Sequence, residues 1–474
     1  MHNQKPTCFG IAFLLIIIFL TPLKAQDFTL EECIKTAWEN NLQLQQQRLS
    51  VDLAEQNLSQ SKASLFPNLN ASASNSYNFG RTVDPFTNDF VTESVRSNNF
   101  SISTGVNLFS GFQVQNTIRQ NQLELEAGKF DLDRSFNDIA LMVASAYLQI
   151  LFNRELVENA NNQLEVTRQQ VERTQKLVDA GTLPRGSILT IQAQMATEEL
   201  QLINAQNQLE LSLLNLRQIM FVQDEDDFSI VVPEIEISSS DDVPGSPLEV
   251  YTVAVEQQPE IKSADLRIES AERGLAIAKG GRSPQVSMRA SYGSGYSQAI
   301  KDFTQVPTGL NQVIRDNEGN EFLVPITLPE GGTKSFSDQM RDNLSRSLSF
   351  FLTIPIFNNY QTRAAVGRSR INLENSKLQS QIVREQLFQT IQQAHADAVA
   401  ALKRYNATQK NVEALEESFR YSEQRFNVGM VNSVEYNDAK NRLAAAESEL
   451  LQAKYEYIFR LKILEFYMGD PLNL

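Results

Sequence analysis

The chain has 474 residues and a formal net charge of −15, which argues against nucleic-acid binding through a basic patch. It has two cysteines and two histidines, too few for the zinc sites that these residues usually form. Because the sequence also lacks GxSxG, Walker A and HExxH motifs, we expect no catalytic residues, no metal site and no cofactor.

The first 25 residues have the pattern of a cleaved secretory signal. A basic residue precedes an apolar run over residues 9–20, which is too short to span a bilayer of about 30 Å as a helix. The small residue Ala25 marks the expected cleavage position. Cys8 and Cys33 lie away from the position of a lipid-anchored cysteine, so we expect no acyl anchor. The mature chain keeps one cysteine and therefore no internal disulfide.

The mature chain contains one structural unit written twice. The matching pairs at an offset of 217 residues include Thr29/Ser246, Glu32/Glu249, Ala37/Ala254, Ala54/Ala271, Leu58/Leu275 and Pro67/Pro284. The pairs at an offset of 248 residues include Phe109/Phe357, Gly181/Gly429, Glu199/Glu447, Ala205/Ala453 and Met220/Met468. The difference of 31 residues predicts an insertion in the second copy, between Pro284 and Phe357. The expected divisions are a first repeat at 26–220, a linker at 221–245, a second repeat at 246–468 and a C-terminal end at 469–474.

Each copy begins with a capping box, which is a helix start signal. Thr29 with Glu32, and Ser246 with Glu249, place a hydroxyl at the N-cap and a carboxylate three residues later. The helices that follow should end before the next proline, because proline disfavours helical backbone at the preceding residue. The expected opening helices are 29–66 and 246–282.

After each proline the apolar period changes from 3.6 to 2, which predicts β-strands. The expected strands are 68–80, 99–109, 285–296 and 344–357. A soluble sheet with one wet face is an alternative. Transmembrane strands are favoured because the polar faces carry Ser, Asn and Gly rather than Lys and Glu, and because the protein is secreted. Four strands cannot close a barrel, so several chains are expected to share one. The loops 80–98 and 297–343, the second with the insertion, are then expected outside the cell.

Each copy continues with a helical hairpin. The expected long helices are 111–180 and 359–428, and the expected return helices are 187–220 and 433–468. A helix of 70 residues is about 105 Å long. Seams with 4-3-4-3 spacing, such as Leu164, Thr167 and Val171, predict antiparallel coiled-coil packing. Gly181 and Gly429 suit the left-handed C′ position that ends a helix.

Together with the duplicated plan, three segments make the chain resemble the TolC outer-membrane efflux family. They are the strand-to-helix joints 106–112 (VNLFSGF) and 354–360 (IPIFNNY) and the tip segment 425–438 (RFNVGMVNSVEYND). The resemblance covers nearly all of the mature chain and implies a mainly α-helical fold with membrane β-structure. The implied assembly is a homotrimer with a shared twelve-stranded β-barrel, four strands per chain, continuous with a long periplasmic α-helical coiled-coil barrel. The linker, acidic at 224–227 and strand-like at 228–237, would form an equatorial region.

The resemblance also implies a function. The chain would be the outer-membrane channel of a tripartite efflux pump or a type I secretion system, a passive exit duct in the cell outer membrane of a Gram-negative-type bacterium. Its expected partners are a periplasmic adaptor and an inner-membrane pump of the RND, ABC or MFS type, with outer-membrane lipid around the barrel. The implied adaptor-docking positions at the hairpin tips are Gly181, Thr182, Leu183, Gly429, Met430 and Val431.

The family narrows its periplasmic end with acidic rings, and the tip motif carries these positions over to Glu435 and Asp438. The alternative is that Ser433 caps the helix and Glu435 only complements the helix dipole. This sequence departs from the family at Val431, where an arginine can latch the closed state, and at Ser187, where a partner acid is often found. We therefore expect closing contacts of a different kind.

Three other functions fit less well. A periplasmic coiled-coil adaptor would not need a set of membrane strands in each of two repeats. A general diffusion porin would have strands over most of its chain. An enzyme would need a catalytic constellation.

Overall fold

The computed structural model describes residues 26–472, except residues 85, 87, 93, 223–227, 234–242 and 244. The predicted signal at 1–25 and the acidic run at 224–227 lie outside the described residues. The helices are, in chain order, α1 (Leu30–Asn40), α2 (Leu42–Ala63), α3 (Gln113–Asp179), α4 (Arg185–Met220), α5 (Pro247–Gln257), α6 (Pro259–Gly280), α7 (Phe336–Asp342), α8 (Gln361–Asn427) and α9 (Ser433–Met468). The strands are β1 (Gln26–Phe28), β2 (Asn68–Asn78), β3 (Thr82–Val83), β4 (Phe90–Val91), β5 (Val95–Phe109), β6 (Phe228–Ile230), β7 (Gln285–Ser297), β8 (Lys301–Arg315), β9 (Glu321–Thr333) and β10 (Ser345–Thr353).

Apart from α7, which has no counterpart in the first copy, the helices of the two copies have equal lengths. α1 and α5 have 11 residues each, and α2 and α6 have 22. The long helices α3 and α8 both have 67 residues, or about 100 Å, and the return helices α4 and α9 both have 36. All four hairpin helices begin and end within two residues of the expected positions.

The prediction of uninterrupted opening helices was wrong, because each is broken once. Asn41 separates α1 from α2, and its side-chain oxygen accepts hydrogen bonds from the amides of Gln43 (2.8 Å) and Leu44 (3.3 Å), which restarts the helix. Gln258 separates α5 from α6 in an extended conformation, because the next residue is Pro259.

Four strands form one antiparallel sheet in the order β10-β7-β5-β2. The strand expected at 99–109 begins earlier, at Val95, and the strand expected at 344–357 ends at Thr353. Within the described residues β10 and β2 each pair on one side only. Each therefore leaves a free edge of backbone N–H and C=O groups that can pair with another strand.

The expected loops are more structured than predicted. Within 297–343, β8 and β9 form an antiparallel hairpin, which is followed by the short helix α7. Ser335 caps α7 by accepting a hydrogen bond from the Asp338 amide. Within 80–98, β3 and β4 form a two-residue ladder. Both segments were predicted as loops; in β8 the turn-forming residues Pro307 and Gly309 interrupt the strand pattern.

The described residues form two compact units, and each unit takes residues from both copies. The first unit takes its described residues from Met1–Gln47, Leu132–Gln258 and Glu385–Leu474, and the second takes them from Arg48–Asp131 and Pro259–Arg384. The compact units therefore do not coincide with the sequence repeats.

The core of the first unit is built on the middle of α3. Val143, Tyr147 and Leu151 are fully buried and cluster with Leu216 and Met220 of α4. The Tyr147 hydroxyl donates to the Val231 carbonyl oxygen at 2.6 Å, next to the parallel pair β1–β6. α3 is long and apolar enough to cross a membrane by composition, but half of its most apolar stretch is buried, as expected for a core helix.

The second unit contains the four-stranded sheet. It also contains α6, most of α2 and the N-terminal parts of α3 and α8. Arg384 forms an ion pair with Asp265 at 2.7 Å, and Ser263 donates a hydrogen bond to Asp131 at 2.6 Å, so α6 is fastened to both long helices.

Candidate functional site

One face of the four-stranded sheet carries small polar side chains. Ser72 and Ser101 join their hydroxyls across β2 and β5 at 2.8 Å, and Ser291 and Ser347 do so across β7 and β10 at 2.7 Å. Strand alternation from these pairs assigns the rest of the polar face, which includes Asn70, Ser74, Ser76, Asn99, Ser103, Ser287, Arg289, Gly293, Gly295, Ser297, Ser345 and Ser349, together with one large apolar residue, Phe351. This is the composition expected of a water-filled lumen.

The opposite face of the sheet is apolar and uncovered by this chain over most of its area. Leu69 is 74% exposed, Leu348 is 62% exposed and Phe350 is 63% exposed. A contiguous exposed apolar face marks contact with lipid or with another protein. Arg346 lies over the Tyr292 ring at 5.6 Å on this face, and aromatic residues of this kind flank the apolar band of membrane barrels.

The hairpin tips have the same backbone in both copies. Gly181 has a φ of +74° and Gly429 a φ of +78°, the left-handed conformation that was predicted for them. The Thr182 amide donates to the Leu177 carbonyl oxygen, and the Met430 amide donates to that of Arg425. These bonds close the last helical turn before each tip. The described tip residues therefore form two matched, tightly closed turns.

The two predicted constriction acids lie in the first turns of α9, and both are exposed. Asn432, rather than Ser433, caps this helix: its side-chain oxygen accepts from the amides of Val434 (3.0 Å) and Glu435 (2.9 Å). Glu435 lies 3.5 Å from Arg425.

The other acid, Asp438, lies 2.9 Å from Arg442. Each constriction acid thus has an arginine neighbour within its own chain. The Asp438 pair follows from the i, i+4 spacing on one helix, whereas the Glu435 pair crosses the tip.

An aromatic cluster holds the second hairpin together above its tip. The Tyr436 ring stacks on Phe426 at 4.8 Å and contacts Phe419 at 5.5 Å. Burial raises the pKa of Tyr436 to about 12. The two phenylalanines lie on the predicted coiled-coil seam, but the buried role of Tyr436 was not predicted.

A buried ion pair joins helices of the two copies. Lys440 of α9 and Glu198 of α4 are 5% and 3% exposed, and the ammonium lies 2.9 Å from the carboxylate. Lys440 also donates to the Gln163 carbonyl oxygen at 2.8 Å and to the Thr167 hydroxyl on α3. Burial lowers the pKa of Lys440, and the hydrogen bond to Glu198 opposes this change.

This ion pair was missed from the sequence. The only signal was that Glu198 occupies an otherwise apolar seam position. The second carboxylate oxygen of Glu198 has no hydrogen-bond partner among the described residues.

The remaining candidate groups have structural surroundings. His395 has a ring nitrogen 2.9 Å from the Gly245 carbonyl oxygen. Cys33 is buried, and burial raises its pKa to about 12. Within the described part of the chain, no three His, Cys, Asp or Glu residues cluster as metal ligands would.

Comparison with known proteins agrees with this geometry. The outer membrane efflux protein family matches residues 33–220 and 250–470. The outer membrane efflux protein BepC of Brucella suis biovar 1 is 21% identical over 447 residues, which cover 94% of this chain and 86% of BepC.

Solved structures show the same fold. A crystal structure of CusC superposes with a TM-score of 0.74 at 15% identity, covering 94% of this chain and 93% of CusC. The crystal structure of the outer membrane protein VceC from Vibrio cholerae superposes with a TM-score of 0.71 at 15% identity, covering 94% of this chain and 97% of VceC. Because the family match spans both copies, the chain belongs to the outer membrane efflux protein family, as an outer-membrane channel with a large periplasmic part.

Proposed function

We propose that this chain is one third of a homotrimeric exit duct, which a periplasmic adaptor connects to an energised inner-membrane pump. The observation that carries the proposal is the four-stranded sheet, which has one polar face, one exposed apolar face and two free edges. In a membrane such edges must be paired, and pairing β10 of one chain with β2 of the next closes a barrel. Three chains supply twelve strands.

The polar face of the sheet would then line the lumen. Its serines and asparagines offer hydrogen bonds to water and little charge, apart from Arg289. Such a lining passes solutes without selecting them strongly by charge. Selection of cargo by charge would therefore reside in the pump, and the duct would work passively.

We also propose that the hairpin tips dock the adaptor. The six tip positions named above surround two closed turns with matched backbones, and Met430 is 71% exposed. Two equivalent tips in each of three chains would give the adaptor six similar sites. The identical helix lengths of the two copies support the division at 26–220 and 246–468, because they place the tips at equivalent positions.

The constriction at the periplasmic end is assigned to Glu435 and Asp438. Since Arg425 and Arg442 lie beside them, three chains would form a ring of ion pairs rather than a bare acidic ring. We expect weaker cation binding than two uncompensated acidic rings would give. The closed state would be held by contacts such as Arg173 with Asn427, which join at 2.6 Å between α3 and α8.

Crosslinking tests the docking proposal. A cysteine replacing Thr182 or Met430 should crosslink to a co-purifying adaptor in intact cells. A matched cysteine replacing Glu318, in the β8–β9 turn, should give no such product, because that turn is expected outside the cell. Equal crosslinking from all three positions, or none from either tip, would exclude docking at the tips.

Block of the channel by multivalent cations in planar bilayers tests the constriction. Glu435→Gln with Asp438→Asn should weaken the block, and Arg425→Gln with Arg442→Gln should strengthen it by removing the neighbouring charges. The first copy offers a control, since Ser187 and Thr190 occupy the equivalent positions. Ser187→Glu with Thr190→Asp should leave the block unchanged. An unchanged block in the Glu435/Asp438 variant would refute the assignment.

A further inference from the structure

The connection between β2 and β5 folds back onto the end of the sheet instead of extending away from it. Asp84 lies in this connection and is 1% exposed. Its backbone amide donates to the Asp89 carbonyl oxygen at 3.0 Å, and its own carbonyl oxygen accepts from the Asn88 amide at 2.9 Å. A buried carboxylate in a surface connection needs partners that replace water.

Those partners come from the second copy. The Ser297 hydroxyl at the end of β7 donates to the Asp84 carboxylate. Gln339 of α7 then holds Ser297 on both sides: its carbonyl oxygen accepts from the Ser297 amide at 2.8 Å, and its amide donates to the Ser297 carbonyl oxygen at 2.9 Å. Ser297 and Gln339 are also fully buried. The connection is thus anchored at one point by a satisfied polar network.

The anchor positions Phe86. The Phe86 amide donates to the second oxygen of the Asp84 carboxylate at 2.9 Å, which closes a turn between the two residues. The Phe86 ring lies directly against Gly295 of β7, where a Cβ atom would overlap its Cζ and Cε1 atoms. The ring therefore fills the place that a side chain at position 295 would take.

Position 295 belongs to the polar face. Along β7 it alternates with the apolar-face residues and shares its face with Ser291 and Ser297. The apolar face at the same end of β7 is covered by a different segment, α7, whose Phe336 ring lies 5.6 Å from Tyr296. At this end of the polar face Phe86 is thus a large aromatic ring among small polar side chains. Phe351, which alternation also assigns to this face, pairs with Ser287 towards the other end of β7.

We propose that Phe86, held by Asp84, narrows the outer mouth of the duct and sets the size of solute that passes it. The proposal rests on the proposed function, in which the polar face lines the lumen and three chains contribute equivalent rings. Three phenylalanines at a level of the wall lined by serines, asparagines and glycines form an apolar constriction, which opposes the passage of bulky hydrated solutes more than that of small ones. Phe86 is then a specificity-determining residue separate from Glu435 and Asp438.

The test uses a cysteine inside the proposed lumen. Ser103 is on the polar face, four residues along β5 from Asn99, the partner of Gly295, and therefore about 14 Å deeper. Intact cells carrying Ser103→Cys are treated with membrane-impermeant maleimides, one small and one carrying a bulky polymer. With Phe86 present, only the small reagent should react quickly.

Removing the ring should admit the bulky reagent. In Phe86→Ala the bulky maleimide should react roughly tenfold faster, which corresponds to about 1.4 kcal/mol. Asp84→Ala should do the same by releasing the anchor. Phe90→Ala is the matched control, because Phe90 lies in the same connection, is 69% exposed and should leave the rate low.

The outcomes separate the constriction from the proposed function. The constriction is overturned if the bulky maleimide reacts at the same rate with and without the Phe86→Ala substitution. It is also overturned if Phe90→Ala raises that rate as much as Phe86→Ala does. The constriction is also overturned if the small maleimide does not label Ser103→Cys although it labels Glu318→Cys in the β8–β9 turn. If Glu318→Cys is not labelled either, the expected placement of the outer loops fails, and with it the duct.

Discussion

The two copies have the same backbone plan and different chemistry where their helices meet. Their helices match residue for residue in length, their opening helices begin with the same capping box, and both tips turn on a left-handed glycine. These features are set by a few neighbouring residues in each copy. Duplication therefore preserves them without reference to the rest of the protein.

The buried ion pair between Glu198 and Lys440 is not repeated at the equivalent positions of the other copy. The equivalents of Glu198 and Lys440 at the offset of 248 residues are Ala446 and Gln192. One copy therefore supplies the acid and the other the base, across a contact that exists once per chain. Local signals therefore preserve the same backbone in both copies, while contacts between the copies make the two non-equivalent.

The largest effect is expected from breaking this pair. Glu198→Ala should lower the free energy of unfolding by about 3–5 kcal/mol, because Lys440 would stay buried without its counter-charge. The measurement is denaturant unfolding in detergent. Glu199→Ala, at the adjacent and less buried residue, is the control and should cost far less. Equal losses would contradict the buried charge as the cause, and Glu198→Leu with Lys440→Met should recover most of the loss.

A smaller and symmetrical effect is expected at the tips. Gly181→Ala and Gly429→Ala should each cost about 1–2 kcal/mol of local stability, because alanine is strained at positive φ. No other group lies within 4 Å of the added Cβ, so steric overlap does not contribute. Hydrogen exchange of the Thr182 and Met430 amides measures the local opening. A cost confined to one tip would show that the tips are not equivalent, and Gly→Asn should cost less at both.

Loss of the capping hydroxyl should also lower stability equally in the two copies. Thr29→Ala and Ser246→Ala should each cost about 1 kcal/mol, because each hydroxyl accepts from the amide three residues later, at 3.2 Å and 3.3 Å. Thermal unfolding of the two variants measures the difference. Thr29→Ser and Ser246→Thr keep the hydroxyl and should stay near the wild type. A cost at only one site would show that tertiary packing, rather than the cap, holds the other helix.

The smallest expected effect is a pH dependence of thermal stability at Glu447. Burial raises the pKa of Glu447, although Gln163 donates a hydrogen bond to its carboxylate at 3.2 Å. Because the pKa of Glu447 is raised in the folded state, its contribution to stability is fully present below its ordinary pKa. That contribution is lost as the pH rises through the raised pKa. Glu447→Gln should therefore melt slightly higher than wild type at neutral pH and equally at low pH. An equal gain in melting temperature at neutral and at low pH would contradict burial of the charged carboxylate as the cause.

Much of the fold and part of the site follow from the sequence. Repeat offsets locate the copies, and prolines and glycines mark where elements end. Alternation assigns the two faces of the sheet. The left-handed tip glycines follow from the sequence motif, whereas the constriction role of Glu435 and Asp438 stays a prediction. The arginine beside Glu435 was not predicted, because Arg425 lies on the other side of the turn.

Local signals in the sequence set the features that depend on neighbouring residues: the capping boxes, the left-handed glycines, the ends of the hairpin helices and the polar face. Which distant groups meet depends on tertiary packing. It placed Lys440 against Glu198, Tyr436 against Phe426, and Phe86 in the space left by Gly295. The physical reason is that local signals need only their neighbours in the chain, whereas a buried charge or ring is stabilised only where packing brings its partner to it.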